Sequence, residues 1–444
     1  MRLNVVLYRQ HIGRMFKKHW IIQGKRTPID TTQDIQNELL KIRNDIKIED
    51  PKQLFETEDK EQLLKVSTVD FKEINKKSVY YYDTSNNLKK QDRICHVFND
   101  SNVLVGGVEQ AKVLLNTLQL DTTDQNVLDK LLSNKQEKFN ISKQLLYKQV
   151  EDAIKSSHLY DSEQVKLPVK KDPSRPAWNF PREYGISYQR KIELLTTKLL
   201  KICETFSENK NKYLLNNGTI LTSFEKDSLL YQLDVNIDKL LTSNQRLSPL
   251  ISDYQQYVLN NQTQKDQKQA NNNSIYPLKC NISIPTTFYY DSNRNIYPIN
   301  NANYIPHTLF VSYNKCNVHN LYETEVTDEQ ITSRTLMKLY ATVSAYVQQF
   351  NLINKTTEDI SEPITIQSVT SDGQFYEFGI LQVNTINLEN NIQNIWWTSD
   401  KINLFDQCQY LNGRPTCTSK AESHHGHHFN TQVIDYLFAF YNHH

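Results

Sequence analysis

Glycine is what this 444-residue chain has least of for its size: it holds ten, with none between Gly218 and Gly373. That is roughly a third of the ~7% usual in folded proteins. Loops that wrap phosphates bring backbone up to the ligand where a Cβ would intrude, so the chain is poorly equipped for nucleotide chemistry. It also lacks GxGxxG and GK[ST] runs, a G-x-S-x-G nucleophile turn and any CxxC pair. No apolar run reaches the ~18 residues of a membrane span. These absences weigh against kinases, NTPases, dinucleotide enzymes and integral membrane proteins. The six cysteines, Cys95, Cys203, Cys280, Cys316, Cys408 and Cys417, are scattered without a secretory signal, so six reduced and mostly buried thiols are expected.

What remains is a polar but foldable chain, 38% hydrophobic, of a length that fills two or three ordinary domains. Its formal charge of +1 is unevenly spread. Arg2, Arg9, Arg14, Lys17, Lys18, Lys25 and Arg26 precede the first acid, Asp30, which leaves 44 of the 51 bases to face all 50 acids over the rest. Residues 1–29 have the composition of a mitochondrial transit peptide, although they are poor in Ser. A basic arm that stays on and touches RNA or anionic lipid is the other reading.

Residues 30–92 are charged and Gln-rich, with the helix-like IQNELLKI, and are expected to form an extended or helical N-terminal segment. A body is expected over 93–444. RICHVFN reads as a strand, Gly106-Gly107 as a helix start, and Val108, Ala111, Leu115 and Leu118 recur at helical spacing. Amphipathic helices follow to residue 165. A connector at 166–185 carries Pro168, Pro173, Pro176 and Pro181, which forbid helix and sheet interior alike. Beyond it, Ile192, Leu195, Leu199, Ile202 and Phe206 form one helical stripe. GTILTSF and SLLYQLDVNI form a hairpin about Glu225 to Ser228. The tract at 260–274 is too polar to pack and reads as a flexible loop. A strand at IPHTLFVSY, a long helix from SRTLMKLY, a hairpin about Asp372-Gly373 and a last helix TQVIDYLFAFYN complete the order. The expected fold class is α+β, with a mixed, largely antiparallel sheet and packed amphipathic helices.

No acid/base set converges in the sequence. Cys95 and His96 are adjacent in a strand and point to opposite faces, so they cannot form a nucleophile and base pair. His307 reads as a hydrogen-bonded structural residue. A hydrolase-like enzyme using His96 or His307 is the alternative function. The cluster His424, His425, His427 and His428 lacks the thiolate or carboxylate partners of structural zinc, and adventitious affinity explains it. Asp372 is accounted for by a type I′ turn, and nothing requires it to meet Glu377. No catalytic residue, metal ligand or cofactor-binding residue is assigned. The connector and following helix are more informative: Lys166, Lys170, Lys171, Arg175, Arg182, Arg190 and Lys191 alternate with Trp178, Phe180, Tyr184 and Tyr188. Such a segment can follow a phosphate backbone and stack on splayed bases, which makes Lys166, Lys170, Lys171, Arg175, Trp178, Arg182, Arg190 and Lys191 candidate RNA contacts. Alternatively Trp178 and Phe180 anchor the connector to the core.

The run QSVTSDGQFYEFGILQVNTINLENNIQNIWWTSDKINLFDQ, with ICHVFNDSNVLVGGVEQAK, NGTILTSFEKDSLLYQL and CNI followed by YIPHTLF, resembles the family of the mitochondrial large-ribosomal-subunit protein numbered thirty-seven. The likeness covers residues 90 to 440 in patches. It implies a non-catalytic ribosomal component in the mitochondrial matrix that supports mitochondrial translation. It further implies contacts with large-subunit rRNA and with other mitoribosomal proteins. One of these would be a related sister protein, once called programmed cell death protein nine, as a heterodimer. On this reading the 363–385 hairpin is scaffold: Tyr376, Phe378 and Ile380 share one face, Leu381 and Val383 the other, as in a sheet covered on both sides.

Overall fold

A computed structural model describes residues 90–121, 143–161, 163–167, 174, 184–207, 212–251, 280–314, 318, 326–354, 359–390, 392–411, 414–419 and 428–443. All of them belong to the compact unit Asp83–His444. The basic leader at 1–29, the segment at 30–89, the tract at 260–274, and His424, His425 and His427 lie outside the described residues.

The chain opens with β1 (Lys90–Asn99), α1 (Gly107–Leu114), β2 (Thr117–Gln119) and α2 (Lys143–His158). The short strands β3 (Val165–Lys166) and β4 (Tyr184–Gly185) precede α3 (Tyr188–Phe206), whose Ser187 side chain caps the Arg190 amide. A long hairpin follows, β5 (Lys212–Lys226) and β6 (Leu229–Ser243). Its turn residues Asp227 and Ser228 both have left-handed φ, 51° and 58°, as a type I′ turn demands. Next come β7 (Thr286–Tyr289), β8 (Ile305–Ser312) and α4 (Asp328–Gln349). A capping box of Thr327 and Gln330 starts α4. The last part holds β9 (Ile353–Asn354), β10 (Asp359–Ile360), β11 (Ile364–Ser371), β12 (Phe375–Val383), β13 (Asn394–Thr398) and β14 (Ile402–Asn403). The hairpin β15 (Gln407–Leu411) and β16 (Arg414–Thr418) and the helix α5 (Thr431–Asn442) end it.

Ten strands make one mixed sheet, in the order β2-β13-β12-β11-β8-β6-β1-β7, with β14 on β12 and β5 on β6. Six of its nine pairings are antiparallel. The α+β fold class expected from the sequence is therefore found. Because β5 pairs with β6 along its whole length, β1 and β8 use successive parts of the opposite edge of β6, at 230–234 and 239–243. The parallel neighbours β8 and β11 need a long crossover, and α4 supplies it.

Helices cover both faces. On one face, Tyr376, Phe378, Ile380 and Trp397 pack with Ile154 of α2, Leu195 and Leu199 of α3, and Phe438 and Phe440 of α5. On the other, Ile366, Leu381, Val383 and Trp396 pack with Ala111 of α1 and Leu336, Tyr340 and Val343 of α4. The alternation expected for the hairpin is thus observed, and each strand residue is buried on the side its parity dictates. Helix α4 is buried on nearly every side from Gln330 to Val347. Its solvent side is overlaid by the segment near 295–302, where Asn295 donates to the Ala345 carbonyl and Tyr346 to the Ala302 carbonyl.

Two local expectations are corrected. The helical spacing read through Leu118 stops at Leu114, because Asn116 takes a left-handed φ of 45° and its amide donates to the Asn390 and Ile392 carbonyls. Leu118 then enters the sheet in β2, beside Ile395. The Asp372-Gly373 turn is not type I′: Ser371 pairs with Tyr376 across four residues, and only Gly373 has positive φ, at 92°. Asp372 instead accepts from the Gln374 and Phe375 amides at 2.9 and 2.7 Å, an Asx turn.

Gly379 sits opposite Ser368, where an added Cβ would stand 2.6 Å from the Ser368 hydroxyl. Gly379→Ala is expected to lower the unfolding free energy by about 1–3 kcal/mol through overpacking, measured by urea denaturation.

Candidate functional site

The one departure from regular pairing in β8 positions its histidine. Leu241 pairs with Thr308 but Thr242 with Pro306, so His307 is the extra residue of a β-bulge. A proline inside a strand is accommodated at such a bulge, and the bulge re-aims the side chain that follows. His307 Nε2 donates to the His443 carbonyl at 3.0 Å, since a carbonyl only accepts. The Thr308 hydroxyl lies 2.7 Å from His307 Nδ1 and 3.0 Å from Gln367 Oε1. Gln367 Nε2 stands 2.7 Å from His443 Nδ1, and Ser248 Oγ is 3.3 Å from His443 Nε2. His307, Thr308 and Gln367 are buried to 1% exposure or less. The chain of polar groups anchors the end of α5 to the middle of the sheet.

Thr308 also borders a narrow cavity of about 20 Å³ between α3, α5 and the sheet, lined by Leu199, Cys203, Val369, Leu437 and Tyr441 among others. A space of that size holds about one water and no substrate. His307 is the hydrogen-bonded structural residue expected from the sequence. His96 stacks on Tyr231 with ring centroids 5.2 Å apart, and burial lowers its pKa. Burial pushes the Cys95 thiol up to about 12, where it is inert. No observation in the described residues favours the hydrolase reading.

Other buried carboxylates are ion-paired or hydrogen-bonded and lie in separate places. Asp100 accepts from Arg334 at 3.0 Å and from Lys338 at 2.5 Å. Burial raises its pKa, but the Lys338 and Arg334 charges outweigh that and hold it below the usual carboxylate range. Glu377 accepts from the Thr332 and Thr398 hydroxyls, at 2.9 and 3.0 Å, and burial raises its pKa. Asp359 binds the Ile386 amide and the Thr385 hydroxyl, which fixes the loop after β12. Each set ties one element to its neighbour. Among the described residues no three His, Cys, Asp or Glu side chains gather as metal ligands. No described helix is long and apolar enough to cross a membrane.

At the connector, Val165 pairs with Gly185 and Lys166 with Tyr184, so its two ends are pinned together. Lys166 is exposed and Lys191 half-buried. Arg190 is bound by Asp161 and, at 2.7 Å, by Glu163, so its charge is balanced within the chain. Lys170, Lys171, Arg175, Trp178 and Arg182 lie outside the described residues. Beside this junction stand four exposed tyrosines: Tyr184 at 69%, Tyr160 at 53%, Tyr410 at 50% and Tyr188 at 44%. Tyr160 and Tyr410 meet edge to face at 6.0 Å. Neither of that pair belongs to the set read from the sequence, because Tyr410 arrives from β15, far along the chain.

Lys212 is the second clamp on α5. Its ammonium donates to the Tyr441 carbonyl and lies 4.9 Å over the Tyr441 ring. Burial pulls its pKa down to about 7, against the pull of Cys203. Above pH 7 the folded state has shed a proton that the unfolded state keeps until about 10.4, so this group makes stability rise with pH in that window. Below pH 7 both states are protonated and the slope vanishes. Lys212→Met is expected to flatten the pH dependence of stability between pH 7 and about 10, read by denaturant midpoints across a pH series.

No family model matches the chain. Among curated proteins it is similar to "Large ribosomal subunit protein mL37" of Rattus norvegicus, 24% identical over 328 residues that cover 70% of this chain and 67% of that one. The protein of the same name from Bos taurus is 24% identical over 324 residues, with the same coverage. That of Gallus gallus is 25% identical over 227 residues, 49% of each chain.

Proposed function

The chain belongs to the mL37 family of large-ribosomal-subunit proteins, and from that membership we propose that it is a structural component of the large subunit of the mitochondrial ribosome. The observation that carries this reading is the similarity over about two thirds of both chains. The physical character of the body agrees with it. A sheet filled on both faces, with its buried carboxylates ion-paired or hydrogen-bonded at separate places, is suited to holding a surface in position.

In this role the body is peripheral, touching RNA locally and proteins elsewhere, because a near-neutral charge cannot neutralise many phosphates. The RNA contact lies at the connector, where the described Lys166 and Lys191 stand near Tyr160, Tyr184, Tyr188 and Tyr410; Lys170, Lys171, Arg175 and Arg182 are the further candidate cations by sequence. Exposed rings there can stack on unpaired bases at about 1–3 kcal/mol per base. Protein contacts use the edge of the sheet, where β7 exposes Phe288 and Tyr289 beside Ile94, and the related sister protein is the partner for a heterodimer. Residues 1–29 act as the leader for import into the matrix, and the 93–444 body is the part that docks.

Epitope-tagged protein in isolated mitochondria is expected to sediment with the large subunit and to stay there through a wash in moderate salt. Tyr184→Ala is expected to lower ultraviolet cross-linking to large-subunit rRNA by about tenfold, consistent with one lost stack. Recovery only as a soluble monomer at the top of the gradient contradicts the ribosomal assignment. Unchanged cross-linking contradicts the RNA contact alone.

A further inference from the structure

The hairpin β15–β16 lies against α2 and sets Cys408 directly opposite Cys417. Two positions along the ladder Tyr410 faces Pro415, and proline has no N–H, so that pair cannot exchange the two hydrogen bonds of an antiparallel bonded pair. Pair types alternate, which makes Cys408 and Cys417 a non-hydrogen-bonded pair as well. In such pairs the Cα atoms approach to ~4.5 Å, within the ~4.4–6.8 Å that a disulfide spans. Their sulfurs stand 2.6 Å apart.

The two thiols are not equivalent. Cys417 is 3% exposed and belongs to the core, whereas Cys408 is half-buried at its margin. The hydrogen bond from Cys417 holds the Cys408 pKa below its ordinary value against the effect of burial, with Lys191 and Lys155 assisting. That same contact, reinforced by burial, pushes Cys417 up. Cys203, by contrast, is raised to about 12 by burial. A dithiol with one accessible, thiolate-prone member and one shielded member has the layout of an attacking and a resolving cysteine.

We propose that Cys408 and Cys417 form a modification site for low-molecular-weight disulfides, with glutathione disulfide as oxidant, and close to an intrachain disulfide within the existing hairpin. The Cys408 thiolate attacks one sulfur of glutathione disulfide, forming a mixed disulfide and releasing one glutathione thiolate, which takes up a proton. Cys417 then loses its proton and attacks the Cys408 sulfur, expelling the second glutathione. Two protein thiols are oxidised and one glutathione disulfide is reduced to two glutathione molecules. The closed bond fastens the hairpin that carries Tyr410, and it departs from the expectation of six reduced thiols only at this pair.

The test treats the purified full-length chain with glutathione disulfide and maps its peptides by mass spectrometry. The expected product joins the Cys408 and Cys417 peptides with the loss of two hydrogens, while Cys95 and Cys203 remain free thiols. In Cys417→Ser, glutathione is expected to stay on Cys408; in Cys408→Ser, Cys417 is expected to take up glutathione about tenfold more slowly. Thermal melts by circular dichroism establish that both variants fold, and the wild-type map needs no variant. Absence of the joined pair in the wild type, or equal uptake at the two cysteines in the single variants, overturns the assignment.

Discussion

Everything in the body is arranged around a two-sided burial constraint on β11 and β12. Their side chains alternate between two apolar clusters, so every residue of the hairpin has a face to satisfy, and helices must stand on both sides of the sheet. Moving either strand by one residue would exchange the faces of Tyr376, Phe378 and Ile380 with those of Leu381 and Val383. The adjacent pair Trp396 and Trp397 on β13 repeats the requirement, one ring to each cluster. Polar residues on these strands, such as Gln367 and Gln382, are spent on neighbours inside the fold: Gln367 on Thr308 and His443, Gln382 on Ile251. The polar side chains of the hairpin thus join elements of the fold to one another.

The scarcity of glycine is met by other residues at the turns. Among the described glycines only Gly107 and Gly373 have positive φ, while Asn116, Asn217, Asp227, Ser228, Ser283 and Asn351 also take left-handed conformations. Asn and Asp tolerate that region because their short side chains bond to nearby backbone, as Asn116 does to the loop before β13. The chain thus keeps tight turns without acquiring the bare backbone that phosphate cradles require. This is a structural counterpart to the composition that set nucleotide chemistry aside.

Where local pattern alone determines the outcome, the sequence was readable. The stripe Ile192, Leu195, Leu199, Ile202, Phe206 is the buried face of α3, and the alternation about Asp372-Gly373 maps onto the two clusters. The hairpin about Glu225 to Ser228 is present with its turn at Asp227-Ser228. What was hidden depends on partners far along the chain. The α1 stop is set by a loop some 275 residues onward. The role of His307 depends on a register shift against β6 and on His443. Tyr410 joins the tyrosine surface through β15, and no local signal marks it. The cysteine pair was missed although a local signal exists for it: Asn412-Gly413 lies midway between Cys408 and Cys417, and that dipeptide is a strong two-residue hairpin signal.

The most direct test of the account is native-state hydrogen exchange on the amides of Ile364–Ser371 and Phe375–Val383. If the hairpin is interior scaffold, these amides are the slowest in the body, exchange only through global unfolding, and protect far better than those of the edge strand β7. Exchange of the β11–β12 amides as fast as that of β7 would mean the hairpin opens to solvent, and would contradict the claim that both of its faces are permanently covered.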